Sequence, residues 1–402
     1  MKQIKFSNSQ STFKKRGKIF KKILPVLIIA AVLIGINLGY SLLSGTTTVF
    51  KFIFQETSLK STDNRVNILL LGNAGGIHDG AYLTDTIMVG SYNLKEDKAY
   101  LFSLPRDLWF DKTKSKVNAV YEIGDAKREG LEFSKRIFGE ILGIPIHYVV
   151  RLDFRGFIKA IDEVGGLEVE VEKSFQDSLY PITGKENDLC GFKEEEREFN
   201  EEEAKKLNIE RGKRKVLVSP DGKIATDSAD PQKGYVFFSC RYELISFKAG
   251  TVQMDGEMAL RYVRSRMGSN NEGSDFARSK RQQRVIEAFR KKVLSLETLS
   301  NPVKMKSLVD IVGESMETDI PIENALDVYK LTKDVKSNQS FVIGAVGKNS
   351  LLINPPLQDY GGAWVLAPRG GNFNEIQQFV AKVLKGEVTE YEATASAWIS
   401  NP

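Results

Sequence analysis

Short apolar runs bounded by Gly, Asn and Asp recur along the first half of the chain beyond residue 65. Runs of this length that are rich in Val, Ile and Leu are typical of buried β-strands. The runs that predict strands are Val66–Leu71, Thr86–Tyr92, Ala99–Leu104, His147–Phe154 and Leu167–Val171. Helical segments alternate with these strands, so the pattern indicates an α/β domain whose sheet is largely buried.

Apolar residues that recur every three or four positions predict the helices of this domain. The helical segments are Asn118–Ile141 with breaks around Gly124 and Gly130, Arg155–Val164, Arg281–Leu296, two helices within Leu308–Val335, and Phe373–Leu384. One more strand is predicted over Ser340–Val346. Between residues 184 and 235 the periodicity is lost and mixed charges dominate, as in Glu194–Glu198, so we interpret this part as a solvated or flexible insertion with no chemistry of its own.

The N-terminus combines a cationic tail with a long uncharged stretch. Residues 1–22 carry eight Lys and Arg residues and no acid, and Ile23–Leu43 follows without a charge. About 20 apolar residues suffice to cross a bilayer, and a basic flank stays in the cytoplasm. A cleaved signal peptide is the alternative, but its apolar region has only about 7–15 residues. We therefore predict a cytoplasmic tail, a retained transmembrane anchor, a polar stalk over 44–65, an extracytoplasmic domain over 66–390 and a C-terminal tail over 391–402.

The charge balance changes once the tail is set aside. The whole chain of 402 residues has a net charge of +5, so removing the eight cations of the tail leaves −3. The composition, with 42% hydrophobic and 27% charged residues, is that of a folded protein. A net acidic extracytoplasmic part does not favour nucleic-acid binding.

Cysteine and histidine are scarce, which excludes several classes of site. Cys190 and Cys240 are the only cysteines, and His78 and His147 the only histidines. Two cysteines rule out a disulfide-rich scaffold and a four-cysteine zinc site. They could pair outside the membrane or remain free thiols, and the sequence leaves both possibilities open. No HExxH, Walker or GxGxxG pattern occurs.

The segment from Tyr262 to Gln282 concentrates guanidinium, carboxylate and amide groups. If Tyr262–Arg266 is extended, Arg264 and Arg266 lie on the same face of a strand. Ser274 is a candidate N-cap with Asp275 at the first helical position, which places Arg278 and Gln282 four residues apart near the positive end of the helix dipole. Planar guanidinium groups bind phosphate oxygens in bidentate fashion, so this segment predicts a site for a phosphate-rich anion.

Charged side chains also stand at the predicted strand ends, where open α/β sheets bind ligands. Asn73 begins a glycine-rich loop after the first strand, and Asp85 lies at the start of the second. Arg106 and Asp107 follow the third strand, and Lys116 comes ten residues after Arg106. Asp85 is either a loop cap or a Mg²⁺ ligand or general base. A surface salt bridge would also explain Arg106 and Asp107, but three charged strand ends favour a site.

The order of these motifs resembles the LytR-CpsA-Psr family. The motifs that carry the resemblance are Asn67–Gly72, Thr84–Ile87, Leu104–Asp107, Lys116–Asn118, Met254–Leu260 and Arg264–Gln282. The similarity extends from about Val66 to Leu296, apart from the charged insertion, and more loosely to the C-terminus. It implies an α/β fold, in which we expect a three-layer α-β-α arrangement with a central mixed sheet, behind a single N-terminal transmembrane helix.

The resemblance also implies a phosphotransferase that moves a glycopolymer from a polyprenyl-pyrophosphate carrier to a cell-wall acceptor such as peptidoglycan, aided by Mg²⁺. The pyrophosphate would be bound by Arg106, Lys116, Arg264, Arg266, Arg278 and Gln282. Asp85, Arg106 and Asp275 would be catalytic, with Asp85 and Asn73 as metal ligands. The chain departs from the family at Asn73, where an Asp is usual, and at Leu83, where an Arg is usual.

Two other functions use the same basic pocket. A non-catalytic regulator would bind the polyprenyl phosphate without consuming it, and a pyrophosphatase would use water in place of the acceptor hydroxyl. Transfer, binding alone and hydrolysis leave different products, so they can be distinguished with a labelled donor.

Overall fold

The structure is a computed structural model that describes most of the chain beyond residue 57. The described residues are 58–76, 80–185, 187–225, 237–299, 301, 303–304, 307–308, 315–321, 324–333, 335, 337–344 and 350–388. The chain divides into two compact units, Met1–Leu59 and Lys60–Pro402, and every element below belongs to the second. The predicted tail 1–22, anchor Ile23–Leu43, residues 44–57 of the stalk, His78 and the tail 391–402 lie outside the described residues. Among the described residues, no helix is both long enough and apolar enough to cross a membrane.

A mixed sheet of six strands organises the domain. Its strands are β1 (Arg65–Asn73), β2 (Thr84–Asn93), β3 (Lys98–Ser103), β6 (Tyr148–Asp153), β14 (Met316–Thr318) and β15 (Ser337–Val342), in the order β14-β6-β1-β2-β3-β15. β1 is parallel to β6 and antiparallel to β2, and β3 is antiparallel to β2 and parallel to β15. The expected α/β class with a central mixed sheet is confirmed.

Helices cover both faces of this sheet. They are α1 (Val120–Asp125), α2 (Gly130–Leu142), α3 (Phe154–Glu163), α5 (Gly256–Arg264), α6 (Asp275–Val293), α8 (Ala325–Lys333) and α9 (Asn374–Leu384), with short helices α4 (Glu201–Leu207) and α7 (Leu296–Leu299). On one face Ile87, Val89 and Phe102 join a buried apolar cluster with α2 and α9. The neighbouring residues of the same strands point to the opposite face of the sheet. On that face, the Gln283 side-chain amide of α6 donates to the Ser103 hydroxyl at 2.8 Å.

A second apolar cluster lies beside the sheet. It is built from α3, α5 and α6 together with two hairpin-like pairs, β7 (Leu167–Val171) with β13 (Gly250–Met254) and β8 (Phe175–Pro181) with β12 (Tyr242–Phe247). Two further ribbons pair β4 (Trp109–Phe110) with β5 (Ser115–Lys116), and β16 (Leu352–Ile353) with β17 (Ala367–Pro368). These elements surround the end of the sheet at which β2 begins and β3 ends.

Of the two helices predicted within Leu308–Val335, the second is confirmed, residues 309–314 lie outside the described residues, and an unpredicted strand lies between these two parts. Residues Met316–Thr318 form β14, an edge strand antiparallel to β6, and Ala325–Lys333 is helical. The Asp319 carboxylate accepts a hydrogen bond from the backbone N–H of Val149 at 2.7 Å, and Thr318 donates to the Val149 carbonyl. The pairing with β6 therefore determines that this segment is a strand. The spacing of apolar residues along the sequence does not show that such a partner strand exists.

The charged insertion is folded, in contrast to the flexible excursion predicted for it. β9 (Lys193–Phe199), β10 (Gly212–Val218) and β11 (Ile224–Ala225) form an antiparallel sheet. Opposite charges face each other across β9 and β10, with Lys213 opposite Glu198 and Lys215 opposite Glu196, an arrangement that stabilises antiparallel pairs. Arg214 lies opposite Arg197, so the mixed charge of this region follows a cross-strand pattern only in part.

A disulfide between Cys190 and Cys240 closes the base of this insertion. The two Cα atoms are 5.6 Å apart and 50 residues apart in sequence, so the pairing left open by the sequence is present. Closing a loop of this length stabilises the folded state by about 4 kcal/mol at most. Disulfides persist in oxidising compartments, which agrees with a location outside the cytoplasm.

Replacing both cysteines with serine is expected to loosen the insertion and to leave the central sheet intact. Limited proteolysis should then cut faster within 184–235, because the unfolded loop is no longer closed. Wild-type protein treated with reductant should behave like the double variant, and the variant should not respond to reductant. Equal cleavage rates in oxidised wild type and variant would contradict this prediction.

Candidate functional site

Arg264 and Arg266 do not lie on a strand. The extended conformation considered for Tyr262–Arg266 is wrong, because α5 continues to Arg264, and Ser265 and Arg266 lie beyond its end. Asp255 caps this helix by accepting from the backbone N–H of Met258 at 2.8 Å. Its apolar residues, among them Ala259 and Val263, are buried at helical spacing. The N-cap and the helical spacing of the apolar residues therefore make this segment a helix, although the two arginines alternate as they would on a strand.

Arg266 and Arg278 nevertheless meet at one carboxylate. The predicted N-cap is confirmed, since the Ser274 hydroxyl accepts from the backbone N–H of Ala277 at 3.1 Å. Asp275 then holds Arg278 Nη2 at 3.0 Å and Arg266 Nε at 3.5 Å from its Oδ1. The first turn of α6 therefore brings two guanidinium groups to one anion.

The strand ends supply a second group of charges. Arg106, which follows β3, forms an ion pair with Asp85 at the start of β2. Its Nε also lies 3.5 Å from Oδ2 of Asp107, and Lys116 lies 2.7 Å from Oδ1 of Asp107. β2 and β3 are antiparallel, so the start of one and the end of the other meet at the same end of the sheet.

The two groups form one electrostatic cluster. Burial lowers the pKa of Arg278 to about 10; Asp275 opposes this effect, whereas the positive charges of Arg266 and Arg106 add to it. For Arg106, burial alone would lower the pKa, yet the carboxylates of Asp85 and Asp107 raise it above its ordinary value. Arg106 and Arg278 are therefore close enough for the charge of Arg106 to lower the pKa of Arg278.

This cluster, which we call the cationic cluster, has more positive than negative groups. Its members are Arg106, Lys116, Arg266 and Arg278 with Asp85, Asp107 and Asp275. The Nε atoms of Arg106 and Arg278 are buried and have no hydrogen-bond partner among the residues that the structure describes. Buried donors are normally satisfied, so these two guanidinium groups, together with the excess of positive groups, make the cluster a candidate anion site.

Replacing Arg278 with lysine is expected to make anion binding depend on pH. A lysine begins from an ordinary pKa of about 10.4, and burial beside Arg266 and Arg106 would lower it as it lowers that of Arg278. The lysine would lose its charge as the pH rises through that lowered value. Calorimetry with inorganic pyrophosphate at pH 6.5 and 9 should show about a tenfold loss of affinity in the variant and little change in wild type.

Arg290→Lys is the matched control for this titration. Arg290 lies on the same helix but donates to the Thr332 carbonyl at 2.9 Å, away from the cationic cluster. Its variant should bind pyrophosphate like wild type at both pH values. A flat pH profile for Arg278→Lys would show that residue 278 does not contact the anion.

Gln282 contacts the residue next to Asp85, whereas the described contacts of Arg264 are to residues outside the cluster. Gln282 donates to the Thr86 hydroxyl at 2.8 Å, which ties α6 to the residue after Asp85. The Arg264 guanidinium carbon lies 4.5 Å from the ring centroid of Phe154, and Nη1 is 3.3 Å from the Tyr180 hydroxyl. Binding of pyrophosphate by Arg264 and Gln282 stays a prediction.

Asn73 belongs to a neighbouring network. Its amide carbonyl accepts from Arg151 Nη1 at 3.0 Å and its amide N–H donates to the Ala81 carbonyl at 2.6 Å. Arg151 also binds Glu317 at 2.9 Å and lies over the Tyr121 ring. The oxygen predicted to bind a metal is therefore already engaged by a cation, whereas Asp85 keeps one carboxylate oxygen without a described ion pair.

Two positioning residues escaped the sequence analysis. Arg281 is fully buried and donates to the carbonyls of Tyr262, Ser265 and Glu272, with a 2.7 Å ion pair to the Glu272 side chain. Asp177 accepts from the Ser265 hydroxyl at 2.7 Å and from the backbone N–H of Arg266 at 3.2 Å. Both fix the loop that carries Arg266, and the loop groups that they bind leave no local signal in the sequence.

The fold and the cluster define a mixed α/β protein with a cationic anion site at one end of its sheet. The chain belongs to the LytR-CpsA-Psr family, whose model matches residues 45–352. The crystal structure of protein gbs0355 from Streptococcus agalactiae has the same fold, with a TM-score of 0.51 and 20% identity over 80% of this chain and 88% of that chain.

Two sequence relatives carry functional names. The chain is 25% identical over 337 residues to polyisoprenyl-teichoic acid–peptidoglycan teichoic acid transferase TagU of Enterococcus faecalis, covering 81% of this chain and 84% of that protein. It is 24% identical over 309 residues to regulatory protein MsrR of Staphylococcus aureus, covering 73% of this chain and 71% of that protein. One name describes a transferase and the other a regulator.

Proposed function

We propose that this protein transfers a glycopolymer from a polyprenyl-pyrophosphate carrier to a cell-wall acceptor such as peptidoglycan. The observation that carries the proposal is the cationic cluster, in which four cations and three carboxylates meet at the end of the sheet where β2 begins and β3 ends. Membership of the family and the name of the Enterococcus faecalis relative support this function.

The reaction joins an acceptor hydroxyl to the phosphorus that bears the sugar. A new P–O bond forms to the acceptor oxygen, and the bond from that phosphorus to the bridging oxygen breaks. Polyprenyl phosphate leaves with the bridging oxygen and its electron pair. Arg106 and Arg278 neutralise the charge on the phosphate oxygens, and Lys116 and Arg266 extend that field, since phosphoryl transfer depends mainly on positioning and electrostatics.

Asp85 takes the proton of the acceptor hydroxyl in this proposal. It forms an ion pair with Arg106, and a carboxylate within hydrogen-bonding reach of the acceptor hydroxyl can take its proton. Asp275 orients Arg266 and Arg278 through its Oδ1. Gln282 positions the start of β2 through Thr86, and Arg264 adds positive charge at the flank.

A magnesium ion fits this site only if phosphate oxygens of the substrate complete its ligands. Mg²⁺ is commonly bound by one or two carboxylates together with substrate phosphates, and Asp85 offers one such carboxylate, whereas the Asn73 oxygen accepts from Arg151. When bound, Mg²⁺ would neutralise charge on the phosphate oxygens. We assign Asp85 as its protein ligand.

The membrane anchor Ile23–Leu43 completes the proposal, because it would hold the domain next to a lipid-linked donor. The N-terminus would be cytoplasmic and the folded domain outside. The disulfide between Cys190 and Cys240 supports an oxidising location.

A labelled-transfer assay tests the function. The full chain in detergent micelles is incubated with a polyprenyl-pyrophosphate-linked glycopolymer labelled in its sugar, Mg²⁺ and purified peptidoglycan. Label that becomes covalently attached to peptidoglycan is the expected result. Soluble phosphosugar would identify a pyrophosphatase instead, and bound but intact donor would identify a regulator, the function named for the Staphylococcus aureus relative.

A further inference from the structure

Trp109 and Tyr360 form a partly exposed aromatic pair outside the cationic cluster. Their ring centroids are 5.1 Å apart and their planes meet at 81°. This edge-to-face arrangement is favoured for aromatic pairs. Both side chains are half-buried, so they present ring surface to solvent while their positions are fixed.

The scaffold beneath this pair is rigid. Phe110, the residue after Trp109, is buried and stacks on Phe373 with centroids 5.8 Å apart. The Trp109 indole N–H lies 3.1 Å from Oδ1 of Asp111 and donates to it. Alternate residues of a strand point to opposite faces, so Phe110 anchors the ribbon in the core and Trp109 faces outward.

The aromatic pair is continuous with the cationic cluster. Trp109 of β4 is directly opposite Lys116 of β5, and directly opposed residues of an antiparallel pair have Cβ atoms about 4.5–5.5 Å apart on the same face. Lys116 in turn binds Asp107 at 2.7 Å. The backbone N–H of Leu366 donates to the Asp107 carbonyl, and that of Trp109 donates to the Leu366 carbonyl, so the same short strands hold both groups.

We propose that the Trp109–Tyr360 pair is a subsite for a sugar ring bound next to the reacting phosphate. This inference rests on the proposed function, in which the donor has a sugar on the reacting phosphorus and the acceptor hydroxyl belongs to a sugar. The C–H face of a pyranose ring is apolar and packs on an aromatic ring, while its hydroxyls need polar partners such as the Asp111 carboxylate and the Lys114 ammonium.

A membrane surface is the other occupant that exposed aromatic residues can suggest. The geometry favours the sugar, because Trp109 is held by a carboxylate and by an aromatic partner rather than projecting freely. A rigid aromatic face with adjacent charged groups suits a ligand that has both C–H and O–H surfaces.

Trp109→Ala and Tyr360→Ala test the subsite in the labelled-transfer assay with the full chain. Each variant should raise the KM for one sugar-bearing substrate about tenfold and leave kcat within about twofold, since the lost contact binds substrate and transition state alike. Trp109→Phe should restore most of the affinity. Trp364→Ala is the matched control, because Trp364 is an exposed tryptophan of the same region at 44% exposure.

The choice of varied substrate identifies the sugar. A higher KM for soluble peptidoglycan fragments assigns the pair to the acceptor, and a higher KM for the lipid-linked donor assigns it to the donor. Unchanged KM values for both in folded, active variants would overturn the subsite and leave the transferase function standing. Should wild type show no transfer, fluorescence titration of Trp109 with a phosphate-free peptidoglycan fragment still measures the subsite by itself.

A lipid-quenching experiment tests the rival occupant. The variant Trp364→Phe with Trp398→Phe leaves Trp109 as the single tryptophan of the chain, and it is reconstituted in vesicles of phospholipid with brominated acyl chains. Emission unaffected by the bromines supports the sugar subsite. Strong quenching would place the indole in the bilayer and overturn it.

Discussion

Asp85→Asn is expected to reduce glycopolymer transfer by about 10²–10⁴-fold, the usual contribution of a general base. Asparagine keeps the shape of the side chain but can no longer accept the hydroxyl proton or offer an ionised oxygen to a metal. The pairing with Arg106 would also weaken, so the freed guanidinium should bind pyrophosphate at least as tightly as before. Initial rates of labelled transfer and calorimetry with pyrophosphate measure the two effects separately.

Glu96→Gln is the matched control for that experiment. Glu96 forms an ion pair with Lys98 at 2.9 Å at the turn between β2 and β3, which is the opposite end of the strands from Asp85. Exposed pairs of this kind contribute little, so transfer should be unchanged. Transfer at the wild-type rate in Asp85→Asn would show that Asp85 is not the general base.

Arg281→Met is expected to lower the free energy of unfolding by about 3–5 kcal/mol, because removing one partner of a buried ion pair leaves the other charge uncompensated. Glu272 would lose its partner, and the carbonyls of Tyr262 and Ser265 would lose their donors. The loop that carries Arg266 should loosen as a result. Denaturant unfolding of the full chain measures the change, together with proteolysis of residues 265–274.

Lys280→Met provides the comparison at the neighbouring position. The Lys280 ammonium lies 5.1 Å from the ring centroid of Phe276, a contact that contributes about 0.5–1 kcal/mol at exposed sites. The lysine variant should therefore unfold close to wild type. Equal stabilities for the two variants would mean that the buried arginine does not hold the loop.

The sequence was informative where chemistry and local structure coincide. Asp85, Arg106 and Lys116 follow or begin strands whose apolar runs are clear, and Arg278 follows a helix cap at Ser274. All four meet in the cationic cluster. Strand ends and caps are local features, so a single sequence was sufficient to place them.

Non-local contacts account for what the sequence analysis missed. Arg281 looks like any solvated arginine on a helix, and only the folded loop brings three carbonyls to it. Asp177 acts on Arg266 from 89 residues away. The helix over Gly256–Arg264 did have a local signal, because Asp255 precedes apolar residues at helical spacing.

The pairing of cations with carboxylates inside the cationic cluster affects which anions can bind. Most of its cations already have a carboxylate neighbour in the ligand-free protein, so chloride or a single phosphate gains little by entering. A diphosphate has enough oxygens to reach two guanidinium groups at once, those of Arg106 and Arg278. Partly buried charges are weakly screened by salt. Diphosphate binding should therefore persist at the ionic strength of the cell exterior, where simple anions abound.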